Sequence, residues 1–250
     1  MTPLEGAAIL AAGVGAGAIN AVVGSGSLIT YPTLLAFGYA PIVANVSNTI
    51  GLVPGSISGA VGYRRELAGQ GARAVPLGVA SILGGLSGGI LLLVLPSSAF
   101  ERVVPLLILA ACLLVAVQPW ISRAAAARPA GGAGASLGLI GTVFVSAIYG
   151  GYFGAAQGVI LIGLLGIFIS DELQRLTALK NVLQAVVNGV AGLLFILIAP
   201  VAWEVAVLIA IGSIIGGQLG ARFGRRLSPV VLRGVIIIVG TTVAVRLLIG

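Results

Sequence analysis

Long apolar runs dominate the chain and recur from end to end, separated by short polar or glycine-rich stretches. Six of them have the length of an ordinary membrane-crossing helix: residues 42–62, 76–95, 103–121, 177–199, 204–221 and 230–249. About 20 apolar residues suffice to span the hydrocarbon of a bilayer, and a helix satisfies its own backbone groups there. Two further blocks, residues 6–38 and 136–169, run to about 33 residues, too long for one straight span and too short for two. Both carry glycines near the middle, Gly24-Ser25-Gly26 in one and Gly150-Gly151 with Gly154 in the other. Glycine weakens a helix by roughly 1 kcal/mol relative to alanine. Each block is therefore expected to be two short helices joined by a break inside the protein.

The pattern occurs twice. At a shift of about 132 residues, Asn48 falls on Asn181, Gly59 on Gly192, Ser81–Gly85 on Ser213–Gly217, Gly88 on Gly220 and Leu95 on Leu227. The expected domains are a transmembrane repeat over residues 1–122, a linker of Ala, Gly and Arg over 123–134, and a second repeat over 135–250. The fold class is all-α: a polytopic integral membrane protein of two inverted repeats, each a broken or re-entrant helix pair followed by three transmembrane helices. Pairs such as Gly84 with Gly88 and Gly216 with Gly220 have the spacing that lets helices approach closely.

Loop charge tests the inversion. Arg64, Arg65 and Arg73 follow one span, Arg123 and Arg128 lie in the linker, and Arg222, Arg225 and Arg226 precede the last span. If each long block crosses once, the Arg64 and Arg222 loops fall on opposite faces, against the tendency of basic loops to stay in the cytoplasm. If each block enters and returns, all three basic loops share one face and the halves are inverted. The second arrangement is expected, with the inner membrane of the cell as location.

Composition narrows the class. Charged residues make up 8% of the chain and hydrophobic ones 59%, far from the roughly one-quarter charged residues of a soluble domain. The net charge of +7 sits in short loops, where it sets orientation and does not point to nucleic acid. The start Met1-Thr2-Pro3-Leu4-Glu5 lacks the positive segment of a cleavable signal, so the first helix is expected to be retained. The single cysteine, Cys112, lies in an apolar run and reads as a core residue.

Irregular backbone at membrane depth survives only where it is walled by protein or lines a cavity. N–H groups freed at a short helix N-terminus then favour an anion. Gly24, Ser25, Gly26 and Ser27 fit that description, and the second-half counterpart is Gly154-Ala155-Ala156 with Gln157 and Gly158. The span after each block is polar: Asn45, Ser47, Asn48 and Thr49 in one half, Thr177, Lys180, Asn181, Gln184 and Asn188 in the other. Lys180, Gln184 and Asn188 share one helix face. An intramembrane cation is a functional candidate, with snorkelling to the interface as the plain alternative. The six acids, Glu5, Glu66, Glu101, Asp171, Glu172 and Glu204, all lie at helix ends or in loops, and there is no histidine. That leaves neither a carboxylate proton relay nor ligands for a transition metal. No catalytic residue, metal or cofactor is expected. Neutral donors with one cation suit a small anion.

The same residues carry a resemblance. Gly24–Ser27 through Tyr31-Pro32-Thr33-Leu34-Leu35 and Gly38, then Ala44-Asn45-Val46-Ser47-Asn48-Thr49, then Gly59 to Arg65 with Tyr63, resemble the motifs of the sulfite exporter TauE/SafE family, also called toluene sulfonate uptake permeases. The second half departs from that pattern: Gln157-Gly158 stands where glycine runs are usual, the proline is missing, and Lys180-Asn181 replaces Ser47-Asn48. The resemblance implies a permease for sulfite, sulfonates or related sulfur-containing anions, with a small anionic substrate and the lipid bilayer as partners and a homodimer left open. A carrier of another small anion, such as a carboxylate, and a non-transporting membrane scaffold are the competing readings.

Overall fold

The computed structural model describes residues 1–126, 135–223 and 229–249. Arg128, Arg225 and Arg226, and the linker from residue 127 to 134, lie outside the described residues. The described residues form ten helices: α1 (Pro3–Val22), α2 (Ser27–Ala36), α3 (Pro41–Gly62), α4 (Gly71–Val94), α5 (Ser97–Ala126), α6 (Leu137–Tyr152), α7 (Gln157–Phe168), α8 (Leu173–Ile198), α9 (Trp203–Phe223) and α10 (Pro229–Ile249). Five of them, α1, α4, α5, α8 and α9, are long and apolar enough to cross a membrane. The chain is a polytopic helical membrane protein.

Each long block is a helical hairpin with a short second arm. At 10 residues for α2 and 12 for α7, these arms reach about 15–18 Å, half of the roughly 30 Å hydrocarbon core. The start of α1 is fixed by a capping box, with Thr2 Oγ1 accepting from the Glu5 N–H at 3.2 Å and Glu5 Oε2 from the Thr2 N–H at 2.8 Å.

Close approaches at glycines give the helix directions. Gly13 of α1 lies against Ile209 and Gly212, and Gly17 against Ser213 and Gly217, so α1 and α9 run parallel. Gly51 lies against Ile209 and Gly62 against Ala221, so α3 runs parallel to both. Gly84 lies against Phe144 and Ala147, and Gly88 against Ile148 and Tyr152, which makes α4 and α6 parallel. Gly85 beside Val187 and Gly89 beside Leu194 do the same for α4 and α8. Since α1 and α3 are parallel, the chain between them has gone in and come back, and α6–α8 repeats this. By contrast, Gly59 lies near Asn181 and Gly192 near Ile50, so α3 and α8 are antiparallel.

The glycine pairs at i, i+4 serve packing, as their spacing predicts. A Cβ at Gly84 would meet the Phe144 carbonyl at 2.5 Å, and one at Gly220 would meet the Ala18 carbonyl at 2.5 Å. Thus α4 lies on α6 and α9 on α1 at nearly backbone distance, each pair bridging the halves. Cys112 is buried against Gly240 of α10, a core residue as expected.

Arg64, Arg65 and Arg222 line one cavity, so the basic ends of α3 and α9 share a face. The loops on this face are tied together. Arg73 at the start of α4 contacts Asp171 before α8 at 2.9 Å, and Arg175 contacts the same carboxylate at 3.0 Å. Gln70 Nε2 donates to the Arg175 carbonyl at 2.9 Å, and Arg175 donates to the Ala68 carbonyl at 3.2 Å. Burial opposes ionisation of Asp171, but hydrogen bonds from Arg175 and the Glu172 N–H, with the charges of Arg175 and Arg73, outweigh it and hold the carboxyl below the usual range.

Candidate functional site

The two breaks open with the same backbone form and touch, although the second alone has a left-handed Ala156, φ 58°, before its short helix. In α1 the N–H groups of Val23 and Gly24 both donate to the Ile19 carbonyl, at 2.7 and 3.1 Å. In α6 those of Phe153 and Gly154 both donate to the Tyr149 carbonyl, at 2.9 and 3.1 Å. The turn that follows needs positive φ, and glycine supplies it: Gly24 at 85° and Gly154 at 74°. The Gly158 N–H donates to the Gly24 carbonyl at 3.0 Å, joining the two breaks directly. A Cβ on either glycine would collide with the backbone of the other, so only glycine permits this approach.

A helix C-terminus leaves carbonyls without intrahelical partners, and these carry the negative end of the dipole. Because Val23 and Gly24 both use Ile19, the Asn20 and Ala21 carbonyls need other donors. Lys180 and Asn181 of α8 supply them. Lys180 Nζ donates to the Asn20 carbonyl at 2.8 Å and the Ala21 carbonyl at 3.4 Å, and Asn181 Nδ2 donates to Ala21 at 3.1 Å. The α6 end is treated likewise: Asn45 Nδ2 of α3 donates to the Tyr152 carbonyl at 3.0 Å. Each broken helix is thus capped by the polar span of the other half.

Lys180 does not snorkel. It is fully buried, and among the described residues its partners are those two carbonyls and no carboxylate. Around it the amides form a chain. Gln184 Nε2 donates to Asn20 Oδ1 at 3.3 Å, Asn20 Nδ2 to Ser56 Oγ at 3.2 Å, and Asn188 Nδ2 to the same hydroxyl at 3.4 Å. Asn20 was not singled out in the sequence, although it is the one amide in the first apolar block and lies four residues before Gly24.

The residues expected to form one site divide between two flanks of the contact. Gly24, Gly26, Gly158, Lys180, Asn181 and Gln184 gather at the α1 end. Asn45 and Asn48 lie at the other flank, where Thr30 of α2 donates to Asn48 Oδ1 and Asn45 holds the α6 end. Ser27 begins α2 and Ser25 lies in the break with its hydroxyl buried and unpartnered. Gln157 turns away, folding over Gly150 and donating to the Ser146 carbonyl at 3.4 Å. Several of the N–H groups expected to meet an anion are engaged here: Gly24 with Ile19, Gly26 with Asn20 Oδ1 at 3.5 Å, and Gly158 with Gly24. Aromatic rings enclose the second break, with Tyr31 edge-on to Phe153 at 5.3 Å and Phe100 near Tyr152 at 5.6 Å. The hydroxyls of Ser25, Tyr31 and Ser146 and the Oε1 of Gln184 are buried without a partner in the protein. Buried polar atoms ordinarily find one.

No three potential metal ligands cluster among the described residues. Two hairpins that meet inside a helical membrane bundle, polar and partly unsatisfied, are the arrangement expected of a membrane transporter. The sulfite exporter TauE/SafE family profile matches residues 9–247, and the chain belongs to that family. It is similar to the probable membrane transporter protein YfcA of Escherichia coli (strain K12), 26% identical over 234 residues that cover 93% of this chain and 86% of the relative. It is also similar to the probable membrane transporter protein ORF9 of a Sinorhizobium species, 25% identical over 236 residues covering 93% and 88%. A probable membrane transporter protein of Haemophilus influenzae is 27% identical over 226 residues covering 88% and 85%. No solved structure matches.

Proposed function

We propose that the chain carries a sulfur-containing oxyanion of the sulfite or sulfonate class across the cell inner membrane, without enzymatic chemistry, through the contact between its two breaks. The observation that carries this reading is Lys180: a fully buried lysine with no carboxylate partner among the described residues. The α1 C-terminus offsets it with only about half a negative charge. The remainder favours a negative solute, because uncompensated charge at membrane depth is costly. The unpartnered hydroxyls of Ser25, Tyr31 and Ser146 are available donors to oxyanion oxygens.

Two halves running in opposite senses, with α3 antiparallel to α8, support an inverted repeat whose basic face is cytoplasmic. An anion leaving a negative cytoplasm gains roughly 2.3 kcal/mol per charge per 100 mV, so export needs no coupled cation. The engaged N–H groups of Gly24, Gly26 and Gly158 become donors when the breaks part.

The test is a thermal-shift screen of detergent-purified protein with sulfite, thiosulfate, taurine and sulfoacetate against carboxylate controls, since a ligand that binds the folded state raises its melting temperature. Sulfur oxyanions are expected to stabilise the protein and carboxylates to compete poorly. Lys180→Gln keeps a donor for the Asn20 carbonyl but removes the charge, and it should abolish the anion-dependent shift. Equal stabilisation by carboxylates points to a different small-anion substrate; an undiminished shift in Lys180→Gln refutes the charge role.

A further inference from the structure

We propose that the cavity at the basic ends of α3 and α9, with the apolar groove beside it, holds an anionic phospholipid. Its phosphate lies among Arg64, Arg65 and Arg222, and an acyl chain lies between α3 and α8. Such a site is independent of the solute carried.

The basic cavity measures about 690 Å³, and Arg64, Arg65, Glu66, Gln218 and Arg222 line it. Three arginines against the carboxylate of Glu66 leave it positive, and a concave surface of one sign concentrates counter-ions. Among the described residues the salt bridges are those on Asp171, and the three arginines take part in neither. All three are exposed. The Arg64 guanidinium donates to the Val61 carbonyl at 3.4 Å, and that of Arg222 lies over the Phe223 ring at 5.5 Å. A guanidinium carries several N–H donors in a planar fork, so both keep a face that matches the oxygens of a phosphate.

The space beside it has the opposite character. A groove of about 400 Å³ runs between α3 and α8, walled by Ile57, Ala60, Val61, Val182, Ala185 and Val186. Arg64 lines both spaces, so the charged and apolar parts are contiguous. Ile57, Val61 and Arg64 follow one another at intervals of four and three residues, the spacing of one helix face. The chain keeps turning past the end of α3, where the Arg64 N–H donates to the Val61 carbonyl at 3.2 Å. Ile57 and Val61 are half exposed, at 51% and 49%. On a membrane-crossing bundle such a groove meets hydrocarbon, while the guanidinium groups at its end meet the headgroup layer. A free anion would use only the first space and a neutral lipid only the second. A lipid with a negative headgroup uses both, and the positive charge of the cavity selects it over a zwitterionic one.

The test is lipid retention by the detergent-purified protein, counted by native mass spectrometry during titration with phosphatidylglycerol or with phosphatidylcholine of the same chains. Phosphatidylglycerol is expected to be retained in preference, and glycerol phosphate, the headgroup without chains, is expected not to displace it. An arginine near an anionic membrane surface is worth about fivefold in affinity. Replacing Arg64, Arg65 and Arg222 together with Gln should therefore weaken retention of phosphatidylglycerol about a hundredfold and erase the preference. Arg64→Gln alone, should the triple variant fold poorly, should lose about fivefold. Arg102→Gln with Arg246→Gln, outside the cavity, should leave retention unchanged. A photoreactive group on the acyl chain should label residues 57–67 and 182–186. Equal retention of the two lipids, or an undiminished preference in the arginine variants, overturns the site. Displacement by glycerol phosphate overturns it in favour of a soluble anion. Acyl label found elsewhere, or a dimer in which these segments are shielded from label, overturns the groove as the seat of the chain.

Discussion

Single atoms decide how the two breaks meet. Gly24 and Gly158 touch through backbone, and a methyl group on either meets main chain, which cannot yield as a side chain can. Gly158→Ala is expected to destabilise the protein by about 1–3 kcal/mol or more, as overpacking does, measured as a lowered melting temperature in detergent. Lys180→Ala adds a second kind of loss. It strips the Asn20 carbonyl of its donor, and an unmet buried acceptor costs about 1–3 kcal/mol. Lys180→Gln should restore part of that stability but none of the anion response, which separates capping from charge. The sequence pointed to these glycines and to Lys180 by type and place. It could not show that Lys180 lies on the end of α1, because that bond joins residues 160 positions apart. Nor could it separate Asn45 and Asn48 from Asn181 and Gln184: all are amides on matching spans, and only packing assigns them to different breaks.

At the scale of elements, hydropathy located every helix but cut several short. The run expected at 177–199 is a helix from Leu173, the one at 76–95 begins at Gly71, and the one at 103–121 runs from Ser97 to Ala126, past the expected end of the first repeat at 122. The added turns carry Arg73, Glu101, Arg102, Arg123 and Arg175. These charges end the apolar pattern without ending the helix, since helix formation does not depend on lipid contact. Two of them build the clasp on Asp171. That carboxyl is held below its unfolded value, near 3.9, so its contribution is present above that pH and is lost as pH falls through the folded value. Stability should therefore fall on acidification below about pH 4, and Asp171→Asn should flatten that part of the curve while costing about 1 kcal/mol at neutral pH. A melting series from pH 6 to 3, a range of about one unit either side of the carboxylate region, checks both.

Over the whole molecule, two hairpins of opposite sense are locked by reciprocal contacts. The α1 end is capped from α8 and the α6 end from α3. The glycines of α9 lie on α1 and those of α4 on α6. The expectation that the Arg64 and Arg222 loops share a face follows from parity and charge alone, and the common cavity agrees with it. Cysteines at Ala68 and Arg222 should accordingly be labelled from the same side of the membrane; labelling from opposite sides would refute the inverted arrangement. What charge and parity could not supply is the chemistry at the centre, where the amides bond to one another and the hydroxyls of Ser25, Tyr31 and Ser146 find no partner in the protein. The central claim is that Lys180 holds a negative solute between the breaks as it crosses. It is tested most directly by sulfite efflux from proteoliposomes under an inside-negative potential. Potential is expected to drive efflux through the wild-type protein, and Lys180→Gln, folded and reconstituted equally well, is expected to lose it about tenfold or more. Equal efflux through both proteins would contradict that claim.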